Sequence, residues 1–113
     1  MELEWLDSRI VDGLSELVLV FDERGQILFG NQAALEKLEY ERDELTECNM
    51  TQIFRQVFSR AGESSDVFDR SRVEGRGDIA MYRKNSSCFP ADVHILPAAR
   101  AGAYVLLAED VTV

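Results

Sequence analysis

Two segments near opposite ends of the chain are apolar at every position of a strand. Residues 17–21 read Leu-Val-Leu-Val-Phe, and residues 103–108 read Ala-Tyr-Val-Leu-Leu-Ala. Side chains on a strand point alternately to its two sides, so a strand of this kind needs apolar cover on both faces. Such cover is typical of the middle of a sheet. We therefore expect these two segments to be neighbours at the centre of one sheet.

Other segments predict three further strands and a helical middle. Residues 27–29 are predicted to form the second strand of a hairpin, after a turn at residues 22–25. Residues 79–81 and 89–95 show the alternation of apolar and polar side chains that is typical of strands. Helical patterns occupy the stretch between the second and third strands. The order is two strands, helices and three strands, which predicts the α+β class with a five-stranded antiparallel sheet.

Asparagine residues mark two of the predicted helix starts. Asn31 precedes an apolar stretch, and its side-chain oxygen can accept from the free amides of a first helical turn. Asn49 is followed three residues later by Gln52, which is the spacing of a capping box. Between them, residues 42–45 predict one short helical turn. A further helix is expected within residues 64–75.

Residues 1–14 predict an amphipathic helix before the first strand. Its apolar positions recur at spacings of three and four, with acidic residues between them, and are Leu3, Leu6, Ile10 and Leu14. We therefore divide the chain into an N-terminal helix, residues 1–14, and a domain, residues 15–113.

Charge and apolar patterning exclude several classes of function. The chain carries 21 acidic and 12 basic residues, and its net charge of −9 would repel nucleic acids and anionic membrane surfaces. Its longest apolar run, residues 17–21, is far shorter than the roughly 20 residues that cross a bilayer. We therefore expect a cytoplasmic domain with no nucleic-acid partner and no membrane contact. The ordered pattern continues to Val113, which favours a piece of a longer protein.

Residues of the kinds used in catalysis or metal binding are few. The chain has one histidine, His94, and two cysteines, Cys48 and Cys88, without the spacing of a zinc site or a disulfide framework. The acidic residues are scattered and indicate a solvated surface. The sequence therefore predicts neither an enzyme nor a metal site, and both thiols are expected to be reduced and structural.

One run of residues is specific in combination. It reads Asp22-x-x-Gly25-x-Ile27-x-x-x-Asn31-x-Ala33-Ala34-x-x-x-Leu38-x-Tyr40, and it is followed in order by Glu44-Leu45, Phe89-Pro90-Ala91-Asp92-Val93 and Asp110-Val111-Thr112. In this order and spacing the chain resembles the PAS domain family, over about residues 14–112. The resemblance implies the strand order 2-1-5-4-3, with helices between strands 2 and 3. This order agrees with the central pair of strands expected above.

The resemblance also implies a function. PAS domains are sensor or interaction modules, so we expect an input module that signals to an output domain beyond Val113. A sensor histidine kinase is the first expectation for the whole protein, and a diguanylate cyclase or a transcription regulator comes next. Asp110 and Thr112 match the family's closing motif and are candidates for the signal exit, with local capping of a strand end as the alternative. The rival function is a ligand-free interaction or dimerisation module.

Three positions depart from the family's pattern. The turn before the fourth strand lacks the usual glycine, and we expect Asn85 to take the left-handed conformation there. Thr46 stands where the family has glycine, and Glu41 stands where it has Ser or Thr. These changes predict altered local geometry over residues 41–50.

No haem or photoactive flavin is predicted. PAS haem sensors generally use a histidine on the long helix before the third strand, and residues 63–75 contain none. His94 is expected on the outer face of the sheet, with Asp92 and Leu96. Photoactive flavin domains carry Asn-Cys-Arg-Phe-Leu-Gln, whereas residues 47–52 read Glu-Cys-Asn-Met-Thr-Gln. We therefore expect no cofactor.

Two sets of residues are candidates for binding. The first would line a space between sheet and helices, either as a filled core or as a cavity for a small apolar metabolite: Leu35, Leu38, Ile53, Phe54, Val57, Phe68, Ile79, Met81, Val93 and Ile95. The second would cover the open sheet face and form a homodimer interface: Leu3, Leu6, Ile10, Leu14, Leu96, Tyr104 and Leu106.

Overall fold

The computed structural model describes residues 16–55, 73, 77–98 and 102–112. The predicted N-terminal helix, residues 1–14, lies outside this part. The predicted helix within residues 64–75 also lies outside it, apart from Val73. In the described part the elements follow the predicted order: β1 (Leu17–Asp22), β2 (Ile27–Gly30), α1 (Gln32–Leu38), α2 (Arg42–Leu45), α3 (Met50–Ile53), β3 (Ile79–Tyr82), β4 (Cys88–Pro97) and β5 (Ala103–Asp110).

The strands form one antiparallel sheet with the order β2-β1-β5-β4-β3. The two fully apolar strands, β1 and β5, are hydrogen-bonded neighbours along their length, from Leu17 opposite Ala108 to Asp22 opposite Ala103. The predicted fold class, strand order and central pair of strands are therefore confirmed. The chain places its most apolar strands where both faces can be covered.

Strand register corrects the predicted face of two residues. Leu106 lies opposite Leu19 and Ile95, and it is fully buried in the core on the helical side of the sheet. Tyr104 lies on the same side and stacks on Phe21, with ring centroids 5.7 Å apart. The prediction that both residues neighbour Leu96 on the open face was wrong. Because β5 is apolar on both faces, its sequence does not show which residues face the helices.

The turn between β1 and β2 forms as expected. Gly25 has a φ of 84°, a left-handed conformation that glycine adopts without strain. The Asp22 carboxylate stabilises the turn, because its Oδ1 accepts from the amides of Arg24 and Gln26, both at 2.9 Å.

The three helix starts are also confirmed. The Asn31 side chain accepts from the Ala34 amide at 3.0 Å and caps α1. Asn49 caps α3 by accepting from the Thr51 amide, and its own amide donates to Gln52 Oε1 at 2.8 Å. Thr46 ends α2 with a φ of −71°, so no glycine is required at this position.

The turn between β3 and β4 differs from the expectation. Ser86, with a φ of 73°, takes the left-handed conformation, and Asn85 does not. The Asn85 carboxamide oxygen instead accepts from the Ser87 amide at 2.9 Å and from the Ser87 hydroxyl at 2.6 Å. This side-chain turn fixes Asn85 and moves the positive φ to the following residue.

No helix in the described ranges is both long and apolar enough to span a membrane. The core lies between the sheet and the helices, and most of its buried side chains belong to one contiguous cluster.

Candidate functional site

The described members of the predicted lining set lie together between the sheet and the helices. Seven of them are buried to 5% exposure or less and belong to the core cluster: Leu38, Ile53, Phe54, Ile79, Met81, Val93 and Ile95. Leu35 is partly buried against the same cluster. Val57 and Phe68 lie outside the described residues. The helices and the sheet therefore bring the eight described residues of the set into one apolar layer.

Asn31 is the buried polar residue of the described core. Its Oδ1 accepts from the Val18 amide and from the Ala34 amide, both at 3.0 Å, while its Nδ2 donates to the Glu16 carbonyl at 2.9 Å. Asn31 thus joins the start of β1 to the start of α1. The sequence predicted only its capping role, because a contact over 13 positions leaves no local signal.

His94 lies on the outer face of the sheet, as expected. Its side chain is 61% exposed, and its Nε2 lies 3.6 Å from Asp92 Oδ2. Val93 and Ile95 point to the opposite side and are buried in the core. In the described part of the chain, no histidine faces the core as a haem ligand would.

The two thiols occupy different environments. Cys48 is buried, and its Sγ contacts the Glu44 carbonyl oxygen at 3.3 Å. Burial raises the pKa of the Cys48 thiol, and the nearby Glu44 carboxylate raises it as well. Cys88 is exposed at the start of β4. The burial of Cys48 therefore fits a role in packing. The exposure of Cys88 does not support a packing role for that residue.

These environments predict a difference in reactivity. In the folded protein, iodoacetamide should alkylate Cys88 at a rate typical of an exposed thiol and should leave Cys48 unmodified, because alkylation requires an accessible thiolate. Peptide mass mapping over time measures both rates, and denaturant should make them similar. Equal rates in the folded state would contradict the burial of Cys48.

The end of β5 forms a small polar cluster at the predicted signal exit. Asp110 Oδ2 forms an ion pair with Lys37 Nζ from α1. Asp110 Oδ1 accepts from the Thr112 amide at 2.8 Å and from the Thr112 hydroxyl. The hydrogen bond from Lys37, followed by those from Thr112, lowers the Asp110 pKa to about 2, so the carboxylate is charged at neutral pH. The sequence predicted Asp110 and Thr112 but not their helical partner.

A second cluster ties the β3–β4 turn to the helices. Arg83 Nε donates to the Lys37 carbonyl at 3.1 Å, and the Lys84 amide donates to the Leu38 carbonyl at 2.9 Å. Lys84 also forms an ion pair with Glu44 of α2. The hairpin thus binds the C-terminal carbonyls of α1, which a helix leaves without internal partners. Sequence reasoning missed this contact, since Arg83 and Lys37 are 46 positions apart.

A cavity of about 420 Å³ lies beside the signal exit rather than within the predicted lining. Its apolar part consists of Leu17, Ala33, Phe89 and Ala108. Its charged part consists of Glu16, Lys37, Glu109 and Asp110. The cavity therefore adjoins the beginning of β1 and the end of β5.

Comparisons with known proteins agree with this architecture. A family model described as a PAS domain matches residues 15–113. A PAS domain from Desulfitobacterium hafniense superposes with a TM-score of 0.72 at 16% identity, covering 91% of this chain and 99% of that one. No curated protein matches the chain.

Two further structures come from signalling proteins. A domain of a sensory box sensor histidine kinase/response regulator from Geobacter sulfurreducens has a TM-score of 0.66 at 20% identity, covering 90% of this chain and 89% of that one. The PAS domain of nitrogen regulation protein NR(II) from Vibrio parahaemolyticus has a TM-score of 0.64 at 13% identity, covering 98% and 100%. At these identities the likeness shows a common fold.

Proposed function

The chain belongs to the PAS domain family, and from this premise we propose that it is the input module of a larger signalling protein. The family match over residues 15–113 makes it a PAS sensory domain. Similar structures include domains of sensor histidine kinases, which supports a kinase as the first candidate for the output. A diguanylate cyclase or a transcription regulator comes next.

The contact between α1 and the end of β5 is the observation that supports signal transfer. Lys37 of α1 forms an ion pair with Asp110, and Asp110 accepts a hydrogen bond from the Thr112 amide at the end of the last strand. A displacement of α1, caused by a change in the core, would therefore alter the position at which the chain leaves the sheet. We propose Asp110 and Thr112 as the signal exit on this basis.

The described core favours either no ligand or a small apolar one. Its buried side chains are apolar apart from Asn31, whose Oδ1 and Nδ2 already have hydrogen-bond partners within the domain. A ligand between the sheet and the helices would therefore be held by apolar contacts. The sequence lacks the histidine that holds haem in PAS sensors and the cysteine motif of photoactive flavin domains. The alternative function, a ligand-free interaction module, fits the same core if the side chains fill it.

Native mass spectrometry of protein isolated from its host, combined with absorption spectroscopy, tests the sensor proposal. We expect no haem or flavin absorption, and the sensor function predicts one bound small molecule for each chain. A spectrum that shows only the mass of the unliganded protein would favour the interaction module. A Soret band or a flavin spectrum at near-stoichiometric occupancy would contradict the cofactor assignment.

We also propose that the domain is a cytoplasmic homodimer that binds neither nucleic acid nor membranes. Leu96, which is 52% exposed on the outer sheet face, is the described residue of the predicted interface that still supports this assembly. The other candidates for the interface, the apolar residues of segment 1–14, lie outside the described residues. Sedimentation should show a dimer for the parent and a folded monomer for Leu6→Glu/Ile10→Glu. A monomeric parent at high micromolar concentration would exclude the dimer.

A further inference from the structure

Lys37 contacts both the β3–β4 hairpin and the signal exit. Its ammonium group forms an ion pair with Asp110, the last residue of β5, and its backbone carbonyl accepts from Arg83 Nε at 3.1 Å. Arg83 belongs to the turn of the hairpin, where its Nη1 also donates to the Ser87 hydroxyl at 3.1 Å. One residue near the end of α1 therefore joins the turn of the hairpin to the end of the last strand.

Two cations lie beside the ring of Phe89 in β4. The Arg83 guanidinium group is 4.8 Å from the ring centroid, and the Lys37 ammonium group is 5.4 Å from it. Cations at these distances are attracted to an aromatic ring. Phe89 is 3% exposed and belongs to the core cluster, so close packing fixes the ring in place. Arg83 thus occupies ring surface onto which the Lys37 ammonium group could otherwise move, and repulsion between the two like charges favours the position of Lys37 at the Asp110 carboxylate.

The ion pair at the exit depends on how firmly Lys37 is held. The side chains of Lys37 and Asp110 are 40% and 21% exposed. A pair with this exposure gains little free energy by itself, because water screens the charges and a long side chain loses conformational entropy when it is fixed. Contacts that already restrict Lys37 reduce this entropy cost. Arg83 and Phe89 provide such contacts, and both belong to the hairpin.

We propose that the β3–β4 hairpin regulates the signal exit and that Arg83 is the positioning residue through which it acts. A displacement of the turn would withdraw Arg83 from the Lys37 carbonyl and from the Phe89 ring. Lys37 would then lose the contacts that hold it beside Asp110, and the ion pair between α1 and β5 would weaken. The role of this coupling in signalling rests on the proposed function, whereas the coupling of Arg83 to Asp110 is measured without it.

Nuclear magnetic resonance of the intact chain measures the position of Lys37 and the titration of Asp110 separately. The ring current of Phe89 shifts the ε-methylene protons of Lys37. The carboxyl carbon of Asp110, followed over the pH range in which the chain stays folded, reports its pKa, which the hydrogen bond from Lys37 and those from Thr112 lower to about 2. In Arg83→Met we expect a smaller ring-current shift and a higher Asp110 pKa, with about half of the rise found in Lys37→Met, which removes the ammonium group itself. Arg83→Lys keeps a cation and a donor, so it should restore both measurements to near the parent values.

Lys84→Met is the matched control, because it removes a cation from the next position of the same turn and keeps the backbone amide that donates to α1. Glu16 and Glu109 line the same cavity as Asp110 and are present in all of these variants, so a general effect of charge would appear in the control as well. We expect Lys84→Met to leave both measurements unchanged. A folded Arg83→Met with both measurements unchanged, or an equal rise of the Asp110 pKa in Lys84→Met, would overturn the proposal.

A reciprocal measurement tests the proposal even if Arg83→Met fails to fold. Coupling between two sites acts in both directions, so Asp110→Asn should release Lys37 and change the chemical shift of the Arg83 Nε proton. Glu109→Gln removes the neighbouring carboxylate and should leave that proton unchanged. An unchanged Arg83 proton in Asp110→Asn would overturn the proposal. These results do not depend on whether the chain is an input module, which the search for a bound small molecule tests.

Discussion

Replacement of Leu106 by alanine is expected to lower the free energy of unfolding by about 2–5 kcal/mol. Leu106 is fully buried on β5, opposite Leu19 on one neighbouring strand and Ile95 on the other. The substitution removes apolar contacts and leaves a cavity at the middle of the sheet. Strands hydrogen-bonded on both sides cannot move inward to fill it. Urea denaturation followed by circular dichroism measures the loss.

Leu96→Ala is the matched control, because it makes the same chemical change on the adjacent strand. Leu96 is 52% exposed and lies on the opposite face of the sheet. We expect this control to cost less than about 0.5 kcal/mol in the monomeric state. Similar losses for the two variants would contradict the register that places Leu106 in the core and Leu96 outside it. Measurement at low micromolar concentration separates folding from association.

Asn31→Ala is expected to destabilise the domain by about 2–4 kcal/mol, more than the loss of a helix cap alone. The Asn31 side chain is fully buried and satisfies the amides of Val18 and Ala34 together with the Glu16 carbonyl. Alanine would leave these backbone groups without their side-chain partner where water has little access. Thermal and urea unfolding measure the change.

Two comparison variants separate capping from the connection to β1. Asn31→Asp keeps an oxygen for the helix cap but replaces the donor to the Glu16 carbonyl, so it should still cost about 1–3 kcal/mol. Asn49→Ala removes the half-buried cap of α3 and should cost about 0.5–2 kcal/mol. Two results would show that Asn31 acts as a cap only. Either Asn31→Asp leaves the free energy of unfolding unchanged, or Asn31→Ala lowers it by no more than Asn49→Ala does.

Several strands, turns and helix caps could be predicted because they depend on residues that are close together in the sequence. The alternation in β4, the turn at Asp22 and Gly25, and the caps at Asn31 and Asn49 each depend on residues a few positions apart. The central position of β1 and β5 followed from their apolar character on both faces. The burial of the described lining residues could be predicted for the same reason, since apolar periodicity identifies the side of an element that faces the core.

The sequence could identify the β3–β4 turn but not its conformation. The sequence favoured Asn85 for the positive φ, whereas Ser86 takes it, because the Asn85 side chain accepts hydrogen bonds from Ser87. Gly30 is a similar case, because a Cβ at this position would collide with the fully buried Leu45 side chain from α2. Glycine is required at position 30 only because β2 and α2 are in contact in the folded domain.

The sequence by itself determined the class of fold, the order of its elements and the apolar character of its core, because hydrophobic periodicity and helix capping are encoded over short separations. Tertiary structure alone decided the faces of Tyr104 and Leu106, the pairing of Lys37 with Asp110, and the cavity beside it. These features depend on strand register and on contacts between residues far apart in the chain. A strand that is apolar on both faces carries no alternation from which its register could be derived, so hydrogen bonding to its neighbours assigns each side chain to a face.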